Sequence, residues 1–182
     1  MLIDELKNIA RNNGIVGAGG AGFPAYAKMT EKADTVILNC VECEPLLKLH
    51  RQLLATHTEE IIQMLDEVRE SFGAKEAVIG IKSEYVTTIK AIEEVIGDFP
   101  NVRICALKAA YPMGDEVVLI YEATGRVIKP GGLPIDENVV VYNVETMYNL
   151  YRAVHLNIPV TNKLVSIVGE IDHPLTVRVP LG

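Results

Sequence analysis

The stretch Gly14-Ile-Val-Gly-Ala-Gly-Gly-Ala-Gly-Phe-Pro24 decides how this chain is read: five of its eleven residues are glycine and two are alanine. Glycine loses the most chain entropy on ordering, so such a run favours neither helix nor strand. What it offers is a main chain free of side chains, whose N–H groups come within reach of a phosphate or a flat ring. Gly17-Ala-Gly-Gly-Ala-Gly22 satisfies the letters G-x-G-x-x-G, but the dinucleotide fingerprint of that form follows a strand. Here the preceding segment, Leu2 to Asn13, carries Leu2, Ile3, Leu6 and Ile9 at helical spacing. A P-loop is excluded, because no Gly-Lys-Ser/Thr closes the run.

Outward from the glycine run, short β-rich segments alternate with helical patterns. Thr35 to Asn39, Ala77 to Ile81, Val102 to Leu107 and Asn138 to Tyr142 read as strands. Thr56 to Phe72, Glu84 to Ile96, Asp115 to Ala123 and Val144 to Leu156 read as helices, the first with Ile61, Ile62, Leu65 and Val68 on one face and Gly73 as its stop. The alternation predicts a three-layer α/β fold, a Rossmann-like variant with a largely parallel sheet and helices on both faces. Lys163 to Gly169 and Leu175 to Val179 alternate every second residue around Asp172-His-Pro174, which predicts a hairpin with one buried face. A lone hairpin is marginal in water, and Pro180-Leu-Gly182 ends in mid-pattern. We therefore read residues 1–158 as one α/β domain and 159–182 as the start of a second domain in a longer protein.

Composition narrows the function. A chain of 182 residues with 49% hydrophobic and 23% charged residues supports one sizeable soluble core. The longest apolar runs, such as Val139 to Tyr142, are far too short to span a bilayer. A net charge of −7 argues against nucleic acid or anionic lipid as the main partner. Three cysteines, too few for a disulfide framework, suit a reducing compartment. The acidic start Met1-Leu-Ile-Asp-Glu-Leu-Lys lacks the basic residues of a secretion signal, so the expected location is the cytoplasm.

Three further segments carry chemistry, and each sits at a strand-to-helix junction, the edge where α/β sheets bind ligands. They are Asn39-Cys-Val-Glu-Cys-Glu-Pro45, Tyr111-Pro-Met-Gly-Asp-Glu116 and Asn143-Val-Glu-Thr146. Read singly, their residues have plain structural uses: Asp115 and Glu116 complement a helix dipole, Asn143 serves as an N-cap, and Phe23 belongs to a core. Cys40 and Cys43 form C-x-x-C, which admits a dithiol redox centre or half a metal site. The acidic neighbours Glu42 and Glu44 oppose a reactive thiolate, and no second cysteine pair exists. His50, His57, His155 and His173 show no ligand spacing, so no metal is expected.

Taken in order, the four segments resemble one family: the flavin-bearing subunit of respiratory complex I, the C subunit of the Rnf complex, and their cobalamin-reductase and proline-reductase-associated relatives. The glycine run with Lys28 resembles G-x-x-G-x-G-G-A-G-F-P, Asn39 to Pro45 resembles N-x-x-E-x-E-P, Tyr111 to Glu116 resembles Y-x-x-G-[DE]-E, and Asn143 to Thr146 resembles N-V-E-T. The terminal hairpin is similar to the start of the β-grasp (SLBB-type) domain that follows in this family. Glu44-Pro-Leu-Leu-Lys-Leu-His-Arg51 looks nearest to the soluble proline-reductase-associated and cobalamin-reductase branch.

The resemblance implies an FMN-binding module that accepts electrons from NADH and passes them to 4Fe-4S clusters downstream of Gly182, with redox partner proteins or complex subunits beyond them and an attachment peripheral to a membrane complex. Gly17, Gly19, Lys28, Asn39, Gly114, Asp115, Glu116 and Asn143 match flavin contacts, with Glu42 and Thr146 beside them. Gly20, Phe23, Glu44, Tyr111 and Glu116 match the nicotinamide side, Glu44 and Glu116 as orienting carboxylates. No catalytic nucleophile or acid–base pair is required, since the flavin carries the chemistry. Ala18 stands where complex I members carry Arg, and Val41 where they carry Asp. Two other readings stay open: a binding module of this fold that has lost flavin, and a C-x-x-C dithiol protein.

Overall fold

A computed structural model describes residues 1–182. Its centre is a four-stranded, all-parallel sheet of β1 (Thr35–Cys40), β2 (Glu76–Lys82), β3 (Val102–Leu107) and β4 (Val139–Asn143), in the spatial order β3-β2-β1-β4. β1 is flanked on both edges, Ile37 lying opposite Val78 on one side and Val141 on the other. All six of its residues are buried, the pattern of a strand covered on both faces.

The two faces are covered unequally. Toward one face pack α1 (Ile3–Asn12), α2 (Leu49–Thr56), α3 (Thr58–Phe72), α4 (Val86–Val95) and α6 (Val144–Leu156). They enclose a large core around Val36, Leu38, Ile79, Ile81, Ile62, Leu65, Phe72 and Met147. The other face holds α5 (Glu116–Thr124) alone, and a smaller cluster joins its Leu119, Ile120 and Ala123 to Ile37, Val78, Val139 and Val141. Helices therefore lie on both faces, as the pattern predicts, but five to one.

Two expectations need correction. The helix predicted over Thr56 to Phe72 forms as α3 from Thr58, but a separate helix, α2, precedes it over residues to which the pattern assigns no element; His57, with φ −125° and ψ 44°, breaks the ladder between the two. The C-terminal segments do form an antiparallel hairpin, β5 (Asn162–Ile167) with β6 (Leu175–Pro180), but no residue of either strand is buried. Leu164 leans on the main core, while Val165, Ile167 and Leu175 stay exposed.

The segment between α5 and β4 is fastened at the amino edge of the sheet, away from the strand-to-helix loops. Arg126 grips Asp34 with two guanidinium nitrogens, at 2.6 and 3.1 Å, and donates to the carbonyl of Glu137 at 2.8 Å. A two-pronged, half-buried guanidinium–carboxylate contact is stronger than an ordinary surface pair. Replacing Arg126 by Ala should lower unfolding stability by about 1–2 kcal/mol, read from the urea midpoint at pH 7. An unchanged midpoint would show that this fastening is decorative.

Candidate functional site

The carboxyl ends of β1 and β4 lie side by side, with Asn39 and Asn143 opposite one another in register. The chain leaves β1 toward β2 and β3 and returns on the other side as β4, so a crevice opens where the winding reverses. The glycine loop closes over the β4 side of this crevice. It starts after α1, as its helical prefix predicts, and is pinched at its base by a single bridge between Val16 and Pro24 and by the hydrogen bond from Gly17 N–H to Phe23 C=O at 2.7 Å.

Packing explains why the loop is glycine. A Cβ on Gly19 would sit 2.6 Å from Asn143 Oδ1, so the main chain lies flush on the asparagine amide. Gly20 and Gly22 take φ of +128° and +63°, where side chains are strained. The N–H groups of Gly19, Gly20 and Ala21 donate no well-formed hydrogen bond within the protein. Ala18 N–H, by contrast, is held by Thr146 Oγ1 at 2.9 Å. Gly17, Phe23, Lys28, Val141, Asn143 and Thr146 line one depression below the loop. Phe23 is 48% exposed, so it is a surface ring and not the core residue its type suggests. Asn143 gives no side-chain cap to α6, which removes the plain reading of that residue.

Lys28 stands at the floor of the depression on a short 3-10 turn (Ala25–Lys28). Its Nζ donates to Glu116 Oε1 and to the carbonyl of Val141, both at 3.3 Å, and lies 6.0 Å from the centre of the Phe23 ring. Two of its three N–H groups are thereby used. Glu116 opens α5, whose N-cap Asp115 accepts from the N–H groups of Val117 and Val118. Asp115 is thus the N-cap of α5, a structural use beyond the dipole role that its position suggests. Gly114 is forced by a close approach: a Cβ there would run into Val41 O and meet Cys43 Sγ at 2.6 Å. Asn39 fixes the same junction, its amide donating to Gly114 O at 3.0 Å and its carbonyl accepting from Val41 N–H at 2.9 Å.

Glu44 and Tyr111 are exposed on the rims of these loops, Tyr111 at 85%. Glu42 is placed elsewhere. It is buried on the α2 side of the sheet, accepting from His50 N–H at 2.8 Å, with Arg51 Nε 3.7 Å away and its Oε2 without any hydrogen-bond partner. Burial pushes its carboxyl above the ordinary range despite the bond from His50 and the charges of Arg51 and Lys82. The two thiols also part company: Cys40 is fully buried and Cys43 is exposed. Burial, then the Glu42 charge, raises the Cys40 thiol far above its usual range, which removes the dithiol reading. The sequence reading passed over Glu145 and Lys163. Both reach the glycine loop's surroundings, Lys163 donating to Ala18 O at 2.7 Å and to Glu145 Oε2 at 2.8 Å. The charged partner for a buried acid next to Thr146 was the available signal.

Comparison with known proteins agrees with this architecture. The family model of the Nuo51 FMN-binding domain matches residues 10–152. Cobalamin reductase PduS of Salmonella typhimurium is 40% identical over 179 residues, covering 98% of this chain and 39% of that protein. The C subunit of the Na(+)-translocating ferredoxin:NAD(+) oxidoreductase complex of Acetobacterium woodii is 33% identical over 184 residues, covering 98% and 42%. The chain thus spans about two fifths of the length of these relatives. The fold matches a chain of an NAD+-reducing [NiFe]-hydrogenase in its air-oxidized state, with a TM-score of 0.81 at 24% identity, over 98% of this chain and 36% of that one. No helix is long and apolar enough to cross a membrane.

The buried carboxyl of Glu42 gives a pH-dependent test. Its folded pKa lies above its unfolded one, so between the two values the unfolded chain has released a proton that the folded chain still holds. Stability from this group is full below the ordinary carboxyl range and is lost as pH rises through the raised value. Glu42→Gln removes that loss. The variant should therefore gain on the wild type as pH is taken from 4 to 7, in paired urea titrations. A difference independent of pH would mean that the carboxyl titrates normally.

Proposed function

This chain belongs to the Nuo51 FMN-binding domain family, and on that premise we propose that the crevice at the ends of β1 and β4 seats FMN and presents it to NADH. In this reading the chain is one module of a longer cytoplasmic electron-transfer protein, whose iron–sulfur clusters and redox partner lie outside these residues. The single observation that carries it is the glycine loop: N–H groups of three consecutive residues, Gly19 to Ala21, without a well-formed partner in the protein, above a lysine with one N–H to spare. Fixed amides and a lysine are a donor set suited to a phosphate dianion. The names of the relatives point the same way, one a cobalamin reductase and another a subunit of a ferredoxin:NAD(+) oxidoreductase.

Bound FMN would supply the hydride-accepting ring; the protein supplies seat, alignment and electrostatics. Gly17 and Gly19 keep the loop thin enough for a ring or phosphate to approach the main chain. Lys28 offsets phosphate charge, and its link to Glu116 is soft, since the two side chains are 34% and 41% exposed and such pairs contribute at most about 1 kcal/mol. Asn143 presents an uncommitted amide. Asn39, Gly114, Asp115 and Thr146 act by holding the loops: Asn39 locks Gly114, Asp115 caps α5, and Thr146 holds Ala18. Gly20, Phe23, Glu44, Tyr111 and Glu116 form the exposed rim suited to a nicotinamide nucleotide. Aligning donor and acceptor in this way lowers a barrier by about 7–11 kcal/mol when the geometry is right.

FMN should bind more tightly than riboflavin, and Lys28→Ala should remove about 1–3 kcal/mol of the FMN affinity while sparing riboflavin. Fluorescence titration measures both. Equal affinities of the wild type for the two flavins would reject the phosphate seat.

With FMN bound, NADH should bleach the flavin absorbance in anaerobic stopped flow, and Glu116→Gln should slow the bleaching by roughly 10–100-fold. The same variant frees Lys28 from its carboxylate, so FMN affinity should hold or rise. An unchanged rate would take Glu116 out of the alignment. A wild type reduced by dithionite and not by NADH would leave an FMN carrier served by another donor.

A further inference from the structure

We propose that Lys163, on the C-terminal hairpin, is a positioning residue for the glycine loop, through which the hairpin sets how firmly the loop holds a cofactor phosphate. The second half rests on the FMN reading above. The loop is poorly held by itself. From Gly17 to Phe23 its closing bond is at the base, and two of its glycines take positive φ, so it is a segment with much entropy to lose. Two side chains restrain its crown, and both act on Ala18. Thr146 accepts from Ala18 N–H, and Lys163 donates to Ala18 C=O at 2.7 Å. A trans peptide is planar, so its N–H points opposite to its C=O. Fixing Ala18 C=O toward Lys163 therefore fixes Gly19 N–H away from it, and Gly19 N–H is the first of the uncommitted donors.

Lys163 is itself held by a buried group. Glu145 has a side chain only 4% exposed, and it lies between Lys163 Nζ at 2.8 Å and the N–H of Leu164 at 3.2 Å. Both partners come from β5, so the hairpin alone satisfies this carboxylate, and a buried carboxylate without partners is costly. The hairpin's position is registered against the body a second time, where Val160 N–H donates to Asn13 C=O at 3.0 Å, at the end of the helix that leads into the loop. Lys163 lies beyond residues 10–152 that match the family model.

The test uses the 182-residue chain and compares Lys163→Met, Lys163→Arg and the double variant Lys163→Met/Glu145→Gln, which leaves no unpaired buried charge. Hydrogen exchange without any ligand is followed by mass spectrometry. The hydrogen-bonded amides of Gly17 and Ala18, read in peptides that span them, should exchange about tenfold faster in both Met variants, while peptides of β1 and β4 in the same digest stay unchanged and report an intact fold. FMN should then bind about tenfold more weakly with riboflavin changed by less than about twofold, and Lys163→Arg should restore most of both effects. Unchanged loop exchange in a folded Met variant overturns the proposal. A faster loop with undiminished FMN affinity overturns the hairpin's control of the cofactor. A wild type that does not distinguish FMN from riboflavin rejects the phosphate seat instead, and the positioning role is then decided on exchange.

Discussion

β1 is enclosed on all sides: buried at each residue, and paired in parallel along both edges. Parallel strands cannot be joined by a tight turn, so every connection has to travel back along the sheet before the next strand begins. That constraint sends each strand-to-helix loop to the same carboxyl edge. The reversal of winding at β1 then parts the loops of β1 and β4 and leaves a crevice between them. Asn39 and Asn143 are the polar ends of two strands that are otherwise apolar or buried, and the register sets them opposite one another. The glycine loop comes from a different part of the chain and is seated there by Asn143 and Thr146 at the start of α6.

Charge around the crevice is balanced locally, although the chain carries a net −7. Lys28 meets Glu116 at the floor, Lys163 meets Glu145 at the side, and Arg51 stands near Glu42 behind β1. The three pairs differ in depth, and depth decides their uses. Lys28–Glu116 is open to water on both partners, so an incoming anion can exchange for the carboxylate at small cost. Glu145 is buried and is satisfied only by its hairpin partners, which makes that pair a fastening. Glu42 is buried with one oxygen unpartnered, and its burial raises its pKa. A list of acidic residues would treat the three as one cluster; burial separates an exchangeable group, a structural one and one that is buried with an oxygen unpaired.

Much of this was legible in the sequence. The strand segments and the helix Val144–Leu156 appear where periodicity and stop signals put them, and Gly73 ends α3 as expected. The convergence of the three loops after β1, β3 and β4 on one edge follows from strand–helix alternation by itself; the glycine loop, which follows α1, does not. What escaped was information that is not periodic. α2 is eight residues long, starts without a side-chain cap, and is separated from α3 by one residue with an irregular ψ, so its Leu49, Leu53 and Leu54 offer too short a pattern to mark a helix of their own. The hairpin's alternation marked an apolar face correctly, but alternation does not say whether anything covers that face. Lys163 was invisible for a different reason: its meaning depends on a carbonyl 145 positions away, and a main-chain acceptor leaves no mark in a sequence.

The acidic loop shows how a strand's geometry outlasts the strand. Along Asn39-Cys-Val-Glu-Cys, side chains continue to alternate past the last paired residue. Asn39 and Val41 serve the α5 side, Asn39 through Gly114 O and Val41 through the smaller core, and Cys43 Sγ lies close against Gly114 on that side as well. Cys40 and Glu42 turn to the α2 side, Cys40 into the main core and Glu42 to His50 N–H. A C-x-x-C whose sulfurs fall on opposite faces cannot close without moving the main chain, and here that main chain carries the close contact between Val41 O and Gly114. Alternation alone would put Glu42 and Glu44 on one side; the chain bends at Cys43 and Glu44, which leaves Glu44 at the rim while Glu42 accepts from His50 N–H at the start of α2. The segment therefore ties the two layers of the fold together at the mouth of the crevice, and of its four acidic or thiol side chains only Cys43 and Glu44 remain exposed to anything that enters.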